Sequence, residues 1–283
     1  MKRLAPYLLI LPGGLWLLIF LVVPMVFMAS VSTQEGDIIN GFVQTFDFSV
    51  YGDAVTRYRT QFLRSVGYGL VGTAISIAMA YPVAYWIAFR GGSRKSTYLL
   101  LVLLPFFVSF VLRTVSWKFL LADDGLLLSP LKAMGLVAQD FHVLQTTAAV
   151  IGGLVYNYLP FMILPIYVAL ERIDPRVVEA AQDLYAARRQ AFTKVVLPLS
   201  LPGVFAGVLM TFVPMTADYV NAGILGGPAN TMIGNIIQTE YLVNADYPTA
   251  AALSFTLMAV MLAGIFAYAR ALGTENVLEA AAR

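Results

Sequence analysis

Residues 171–194 read E-R-I-D-P-R-V-V-E-A-A-Q-D-L-Y-A-A-R-R-Q-A-F-T-K, and V-V-L-P-L-S-L-P-G follows at 195–203. Nine of the chain's 34 charged residues fall within these 24 positions, between two long apolar runs. The island predicts a short helix of its own. Asp174 suits an N-cap, Pro175 suits the first helical position, and Ile173 can pack on Val178 as a hydrophobic staple. Val177, Ala180, Ala181 and Leu184 then recur at helical spacing and form a stripe of low relief. Glu179 and Asp183 lie beside the stripe at i,i+4, where like charges destabilise an isolated helix. Such a pair suits a partner that supplies cations. A helix lying on the membrane surface or against its own bundle has a use for the small-residue face as well.

Outside the island the chain is apolar. It is 59% hydrophobic and 12% charged, against roughly 25% charged in a soluble domain. A helix needs about 20 apolar residues to cross a bilayer core. Uncharged runs of that order occupy 4–34, 65–89, 143–170, 195–217 and 247–269, and a shorter one occupies 96–112. The shorter run continues through Arg113 as V-L-R-T-V-S-W-K-F-L-L, so Arg113 belongs near an interface or in a wet or protein-lined interior. Six spans are expected, at about 5–33, 62–90, 96–120, 144–170, 195–219 and 247–270, within one transmembrane domain covering 1–283. The first run far exceeds the apolar core of a cleaved signal peptide and reads as a retained helix.

Six spans place both termini on one side. The N-terminus, the 90–95 loop, the island and the C-terminal tail carry twelve Lys and Arg against six on the other side, so termini and island are expected in the cytoplasm. The outer segments hold nine acids, from Glu35 to Asp246, against those six bases. An acidic mouth favours cations, although the positive-inside bias alone depletes outer loops of bases. A net charge of +2 points away from nucleic acid. With no cysteine there is no disulfide, thiol catalysis or Cys-ligated metal.

Several chemistries are poorly served. The sequence holds no G-x-x-x-x-G-K-[ST] phosphate loop, so any ATP chemistry must come from a partner. Gly67, Gly69 and Gly72 spell G-x-G-x-x-G inside an uncharged span, where close helix packing explains them better than a pyrophosphate site does. Gly203 and Gly207 receive the same reading. His142, the single histidine, has Asp140 nearby and nothing to complete a metal site. Hydroxyls and carboxylates are scattered over different spans, so no Ser/His/Asp group forms and no enzyme is expected.

The string E-A-A-Q-D-L-Y-A-A-R-R-Q-A-F-T-K-V-V-L-P resembles the E-A-A-x-x-x-G loop, followed after nine residues by I-x-L-P, of permease subunits of ATP-binding-cassette importers. Glu179, Ala180, Ala181, Leu197 and Pro198 match; Val195 replaces Ile, and Tyr185 replaces the glycine. Glycine there permits a turn at positive φ that Tyr adopts only at a cost. Either the two short helices join differently here or the turn is strained. The blocks L-L-P-F-F-V-S-F-V-L-R-T-V-S-W (103–117), Y-N-Y-L-P-F-M-I-L-P-I-Y-V-A-L-E-R-I-D-P (156–175), P-L-S-L-P-G (198–203) and L-G-G-P-A-N-T-M-I-G-N-I-I (225–237) look like the spermidine/putrescine (PotB-type) branch.

The resemblance implies an all-α membrane protein with six transmembrane helices, the type I importer permease fold and a cytoplasmic coupling helix, in a prokaryotic plasma (inner) membrane. It implies a second permease (PotC-like), two ATPase subunits (PotA-like) that hold the ATP and Mg, and an extracytoplasmic polyamine-binding protein (PotD-like). This chain itself carries no cofactor. Glu179, Ala180, Ala181, Asp183, Leu184, Tyr185, Leu197 and Pro198 then form the coupling surface, through which closure of the ATPase pair converts the spans from inward-facing to outward-facing. Relatives of this branch carry other small solutes. A secondary transporter working without ATP is the alternative from another class, but it has no reason for the E-A-A helix, and inverted halves are not detectable.

A polyamine crossing the membrane needs a counter-charge and a place for its methylenes. Asp218, in T-A-D-Y-V at the outer end of the fifth span, is the carboxylate nearest a membrane core. It reads equally well as a cation site and as the partner of Arg113, and a cation can compete for that pair. Tyr156, Tyr158, Trp117 and Tyr219 can present ring faces to ammonium groups or sit in an interfacial aromatic belt. Asn157, between two tyrosines, is expected to face inward. Pro160, Pro165, Pro198, Pro202 and Pro214 can free backbone carbonyls toward an inner cavity.

Overall fold

The computed structural model describes residues 5–271, with side-chain surroundings for 11–270. The chain begins with α1 (Ala5–Leu17), which passes through a π-helical turn, Leu18–Val22, into α2 (Val23–Val31). A hairpin of β1 (Gln34–Asp37) and β2 (Gly41–Gln44) follows, then α3 (Ser49–Arg57) and the 32-residue α4 (Arg59–Arg90). Next come α5 (Lys95–Leu103), α6 (Phe110–Leu121), α7 (Leu128–Ala133) and α8 (Thr147–Glu171). The island forms α9 (Pro175–Asp183) and α10 (Arg188–Ala191), and α11 (Leu197–Thr216), α12 (Ile233–Leu242) and α13 (Tyr247–Ala271) complete the order. Five of the described helical runs are long and apolar enough to cross a membrane, and α5 with α6 make a sixth only as a bent pair.

That bent pair is where the third expected span, 96–120, departs from a straight helix. Its two halves meet at 87°. Pro105 lacks an N–H and sits in the 3₁₀ turn Leu104–Phe107 that ends α5, and Val108 (φ −95°, ψ 139°) and Ser109 (φ −51°, ψ 135°) are extended. Helix α6 restarts with the Arg113 amide bonded to the Ser109 carbonyl at 3.0 Å. Arg113 therefore lies in the first turn of a new helix, off the axis of α5.

Contacts divide the chain into two compact units, Met1–Arg59 with Ile236–Val260, and Thr60–Asn235 with Met261–Arg283. In the first, neither α2 nor the π-helical turn before it buries a residue. The hairpin, the one sheet among the described residues, was not foreseen in the expectation of an all-helical chain. Its turn is held by Asp37, whose Oδ1 accepts the amides of Ile39 (2.8 Å) and Asn40 (2.7 Å). Those amides hold the Asp37 carboxyl below the usual carboxylate range. Tyr58 donates a hydrogen bond to the buried Glu240. Burial, with that bond and the Glu240 charge, pushes the Tyr58 hydroxyl up to about 12.

The second unit is built on α8 against α11. A Cβ on Gly203 would stand 2.5 Å from both the Ala169 Cβ and the Pro165 carbonyl oxygen, and one on Gly207 would stand 2.7 Å from Met162 Sδ. The G-x-x-x-G spacing is thus the seam where the backbone of α11 meets α8. Gly69 and Gly72, inside α4, face Thr216 and Met215 of α11 in the same way, so two glycines of the G-x-G-x-x-G string lie on a helix-packing surface, while Gly67 meets no neighbour. Ala80, Ala84 and Ile87 of α4 join Met162, Ile166 and Leu170 of α8 and Val196 in one core, and the Tyr81 hydroxyl bonds Ser200 Oγ at 2.7 Å. Helix α8 continues through Pro160 and Pro165, and α11 through Pro202 and Pro214.

Candidate functional site

The charged island folds into a two-helix loop whose inner side is pinned to the core. Asp174 is extended (ψ 123°) and its Oδ1 accepts the Arg176 amide at 2.9 Å, with Pro175 opening α9. Ile173 is buried, and Val178 packs in the same cluster. On the outgoing side Ala191 and Val196 are buried, and the Phe192 ring stands edge-on to Tyr81 (5.8 Å) and Tyr85 (5.7 Å). A π-helical turn, Phe192–Val196, carries α10 into α11, so Arg188–Thr216 forms one continuous helical run.

The turn between α9 and α10 settles the question posed by Tyr185. Its φ is +62°, in the left-handed region where the resemblance has glycine. The Tyr185 amide reaches the Gln182 carbonyl at 2.9 Å and the Ala186 amide reaches the Ala181 carbonyl at 3.1 Å. This pair of bonds closes a helix through a Schellman motif. The loop keeps the turn that glycine would make and bears strain at a residue that is 98% exposed. Val177, Glu179, Ala180, Asp183 and Leu184 are exposed with it, while Ala181, assigned to the same stripe, turns half inward. Leu197 is half-buried and Pro198 exposed. Neither Glu179 nor Asp183 has a cationic partner among the described ion pairs.

The intramembrane candidates gather around a cavity of about 780 Å³ between α6, α8 and the end of α11. Arg113, Asn157, Tyr158, Asp218 and Tyr219 line it, together with Phe106 and Phe110. Asp218 is buried, and its carboxylate accepts the Asn221 amide (2.7 Å), Asn221 Nδ2 (3.1 Å) and the Tyr158 hydroxyl (3.1 Å). Asn157 Nδ2 donates to Asn221 Oδ1 (3.0 Å) and Thr114 Oγ1 (3.1 Å), which ties α6, α8 and the 218–221 turn into one polar network.

Two expectations are corrected here. Arg113 and Asp218 do not pair: the carboxylate is occupied by Tyr158 and Asn221, while the guanidinium lies over the rings of Phe106 (5.1 Å), Phe110 (5.8 Å) and Tyr156 (5.9 Å). Trp117 and Tyr156 do not line the cavity; they pack on each other at 5.3 Å beside it. Asn221 and Thr114, which complete the network, escaped sequence reading because a lone amide or hydroxyl in an apolar run has no periodic signature. Phe106 and Phe110 read there as ordinary span residues. His142 is an exposed loop residue with Nδ1 3.2 Å from the Asp140 carbonyl oxygen, and no metal-ligand cluster occurs among the described residues.

Residues 63–271 match the family model described as "Binding-protein-dependent transport system inner membrane component". The spermidine/putrescine transport system permease protein PotB of Haemophilus influenzae is 34% identical over 257 residues, covering 90% of both chains. PotB of Escherichia coli is 31% identical over 90% of this chain and 94% of its own. In three dimensions the chain is similar to a chain of a bacterial ABC transporter that imports alginate, with a TM-score of 0.71 and 20% identity over 96% of both chains. A chain of the MetNI methionine transporter, seen in inward-facing conformations, gives a TM-score of 0.56 and 19% identity over 75% of this chain and 94% of that one. These likenesses identify the fold as that of type I importer permeases, and the family match with the PotB identities assigns the chain: it belongs to the binding-protein-dependent transport system inner membrane components, as a multi-pass ABC importer permease subunit.

Proposed function

We propose that this permease moves polyamines, spermidine or putrescine, inward across a prokaryotic inner membrane, with both termini in the cytoplasm. The observation that carries the cargo is the identity to two PotB permeases over 90% of the chain. The cavity at Asp218 is compatible in kind: a buried carboxylate, a tyrosine hydroxyl and aromatic walls suit an ammonium group and a methylene chain. The partner set follows the same relatives: a second, PotC-like permease, two PotA-like ATPase subunits and a PotD-like binding protein.

The exposed side of Val177–Tyr185, which comprises α9 and the turn that ends it, is the surface we assign to the ATPase groove. Its low relief admits a close-fitting wall, and Glu179 and Asp183 offer charge to basic residues on that wall. Hydrolysis of ATP with Mg belongs to the ATPase, so the loop transmits movement and never meets the cargo. Co-expression with the three partner types, followed by reconstitution and uptake of labelled putrescine and spermidine, tests the reading. Uptake that persists without ATP, or a chain that transports as a lone monomer, would overturn it.

A further inference from the structure

The cavity at Asp218 is lined by two chemically opposite groups. One is the Asp218 carboxylate with the Tyr158 hydroxyl and Asn157, whose Oδ1 is buried without any hydrogen-bond partner. That group lacks a donor. The other is Arg113, which is 8% exposed, with Nε and Nη1 buried and without an acceptor. The ring faces of Phe106, Phe110 and Tyr156 attract its positive charge, but they do not take the in-plane N–H bonds of a guanidinium. That group lacks an acceptor.

A buried guanidinium with unpaired N–H groups calls for an anion, and a carboxylate matches its planar fork. Asp218 lines the same cavity but is held by Tyr158 and Asn221. A polyamine answers only the first group. Its ammonium groups satisfy Asn157 and Asp218, and its second charge meets Arg113 as a like charge. A solute with an ammonium at one end and a carboxylate at the other answers both.

Resting on the importer reading above, but not on its polyamine cargo, we propose that this cavity also binds a zwitterionic amine, with its carboxylate on Arg113 and its ammonium at Asn157 and Asp218. Arg113 is then the residue that decides between an amino-carboxylate and a diamine. The volume, about 780 Å³, falls within the ordinary range of small-molecule sites.

The test is equilibrium binding of labelled 4-aminobutanoate and of labelled putrescine, two solutes of the same four-carbon length, to the purified permease–ATPase complex. Leaving out the binding protein keeps its own selectivity from entering. The expected result is saturable binding of 4-aminobutanoate that Arg113→Gln weakens roughly tenfold or more, while putrescine binds at least as well as before. Arg113→Lys should recover part of the loss, because it restores charge without the fork. An unchanged melting temperature of the variant complex shows that it is folded. Absence of saturable 4-aminobutanoate binding to the unmodified complex overturns the proposal whatever putrescine does. Equal weakening of both solutes by Arg113→Gln overturns it too, and assigns the guanidinium to a carboxylate of a neighbouring subunit or to the fold. Binding of 4-aminobutanoate without putrescine leaves the proposal standing and defeats the polyamine reading alone.

Discussion

Replacing Tyr185 by glycine should make the loop firmer. Tyr185 sits at φ +62°, and a left-handed conformation costs an L-residue about 1–2 kcal/mol. Glycine removes that cost but loses about 0.5–1 kcal/mol more backbone entropy on ordering. The ring is 98% exposed, so its removal takes no packing from the chain itself. The balance is a local gain of about 0–1.5 kcal/mol, which corresponds to exchange slowed by up to roughly tenfold where it follows the local opening equilibrium. Hydrogen exchange read at the Tyr185 position and at Ala186, whose amide closes the turn on Ala181, measures it directly. The partner variant Tyr185→Ala keeps the strained backbone and drops the ring. If Tyr185→Gly slows exchange yet lowers cargo-stimulated ATPase activity, and Tyr185→Ala lowers that activity too, the ring contacts the ATPase. Faster exchange at Ala186 in Tyr185→Gly would refute the reasoning, because it would mean that the ring holds the turn together.

Other parts of the molecule give further expectations. Asp218→Asn keeps the shape of the side chain but removes its charge, so apparent affinity for a polyamine should fall about tenfold in cargo-stimulated ATPase assays; unchanged affinity removes Asp218 from the pathway. Gly203→Leu drives a side chain into Ala169 and the Pro165 carbonyl, and thermal unfolding in detergent should show a loss of about 1–3 kcal/mol or more. Phe192→Ala removes the ring wedged at Tyr81 and Tyr85 and should cost about 3–5 kcal/mol, read as a lowered melting temperature and loosened exchange across α10. The Tyr58 hydroxyl titrates higher in the folded chain than in the unfolded one. Its contribution to stability is therefore full below about pH 10 and is lost as pH rises toward about 12. Tyr58→Phe should abolish that alkaline decline in a pH series of melting curves.

Most of the architecture was written in charge placement. Runs free of charge marked the spans, and the cap Asp174-Pro175 marked the start of α9 because capping depends on a few adjacent residues. The glycine seam at Gly203 and Gly207 was legible for the same reason, since a small-residue spacing directly states how close two helices come. Features set by neighbours distant in sequence were not. The pairing of Asp218 with Tyr158 and Asn221 instead of Arg113 depends on the break at Val108–Ser109, which turns α6 and carries Arg113 onto the aromatic faces. The hairpin at residues 34–44 was missed because its strands are only four residues each and lack an alternating apolar pattern. At Tyr185 sequence reasoning posed two outcomes, and only coordinates distinguish a rerouted chain from a strained one.

The break in the third span has a mechanical side. Two extended residues join α5 to α6, so a backbone change at Val108 reorients α6 as a unit with its own bonds kept, including that of the Arg113 amide to the Ser109 carbonyl. At 1.5 Å per residue, the 12 residues of α6 form a lever about 18 Å long. A rotation of roughly 10° at the joint carries the far end, at Leu121, about 3 Å, while Arg113, one turn from the pivot, moves less than about 1 Å. A membrane segment built in this way can separate two tasks that a straight helix must combine: its near end can keep a charged side chain in register with the cavity it lines while its far end is displaced.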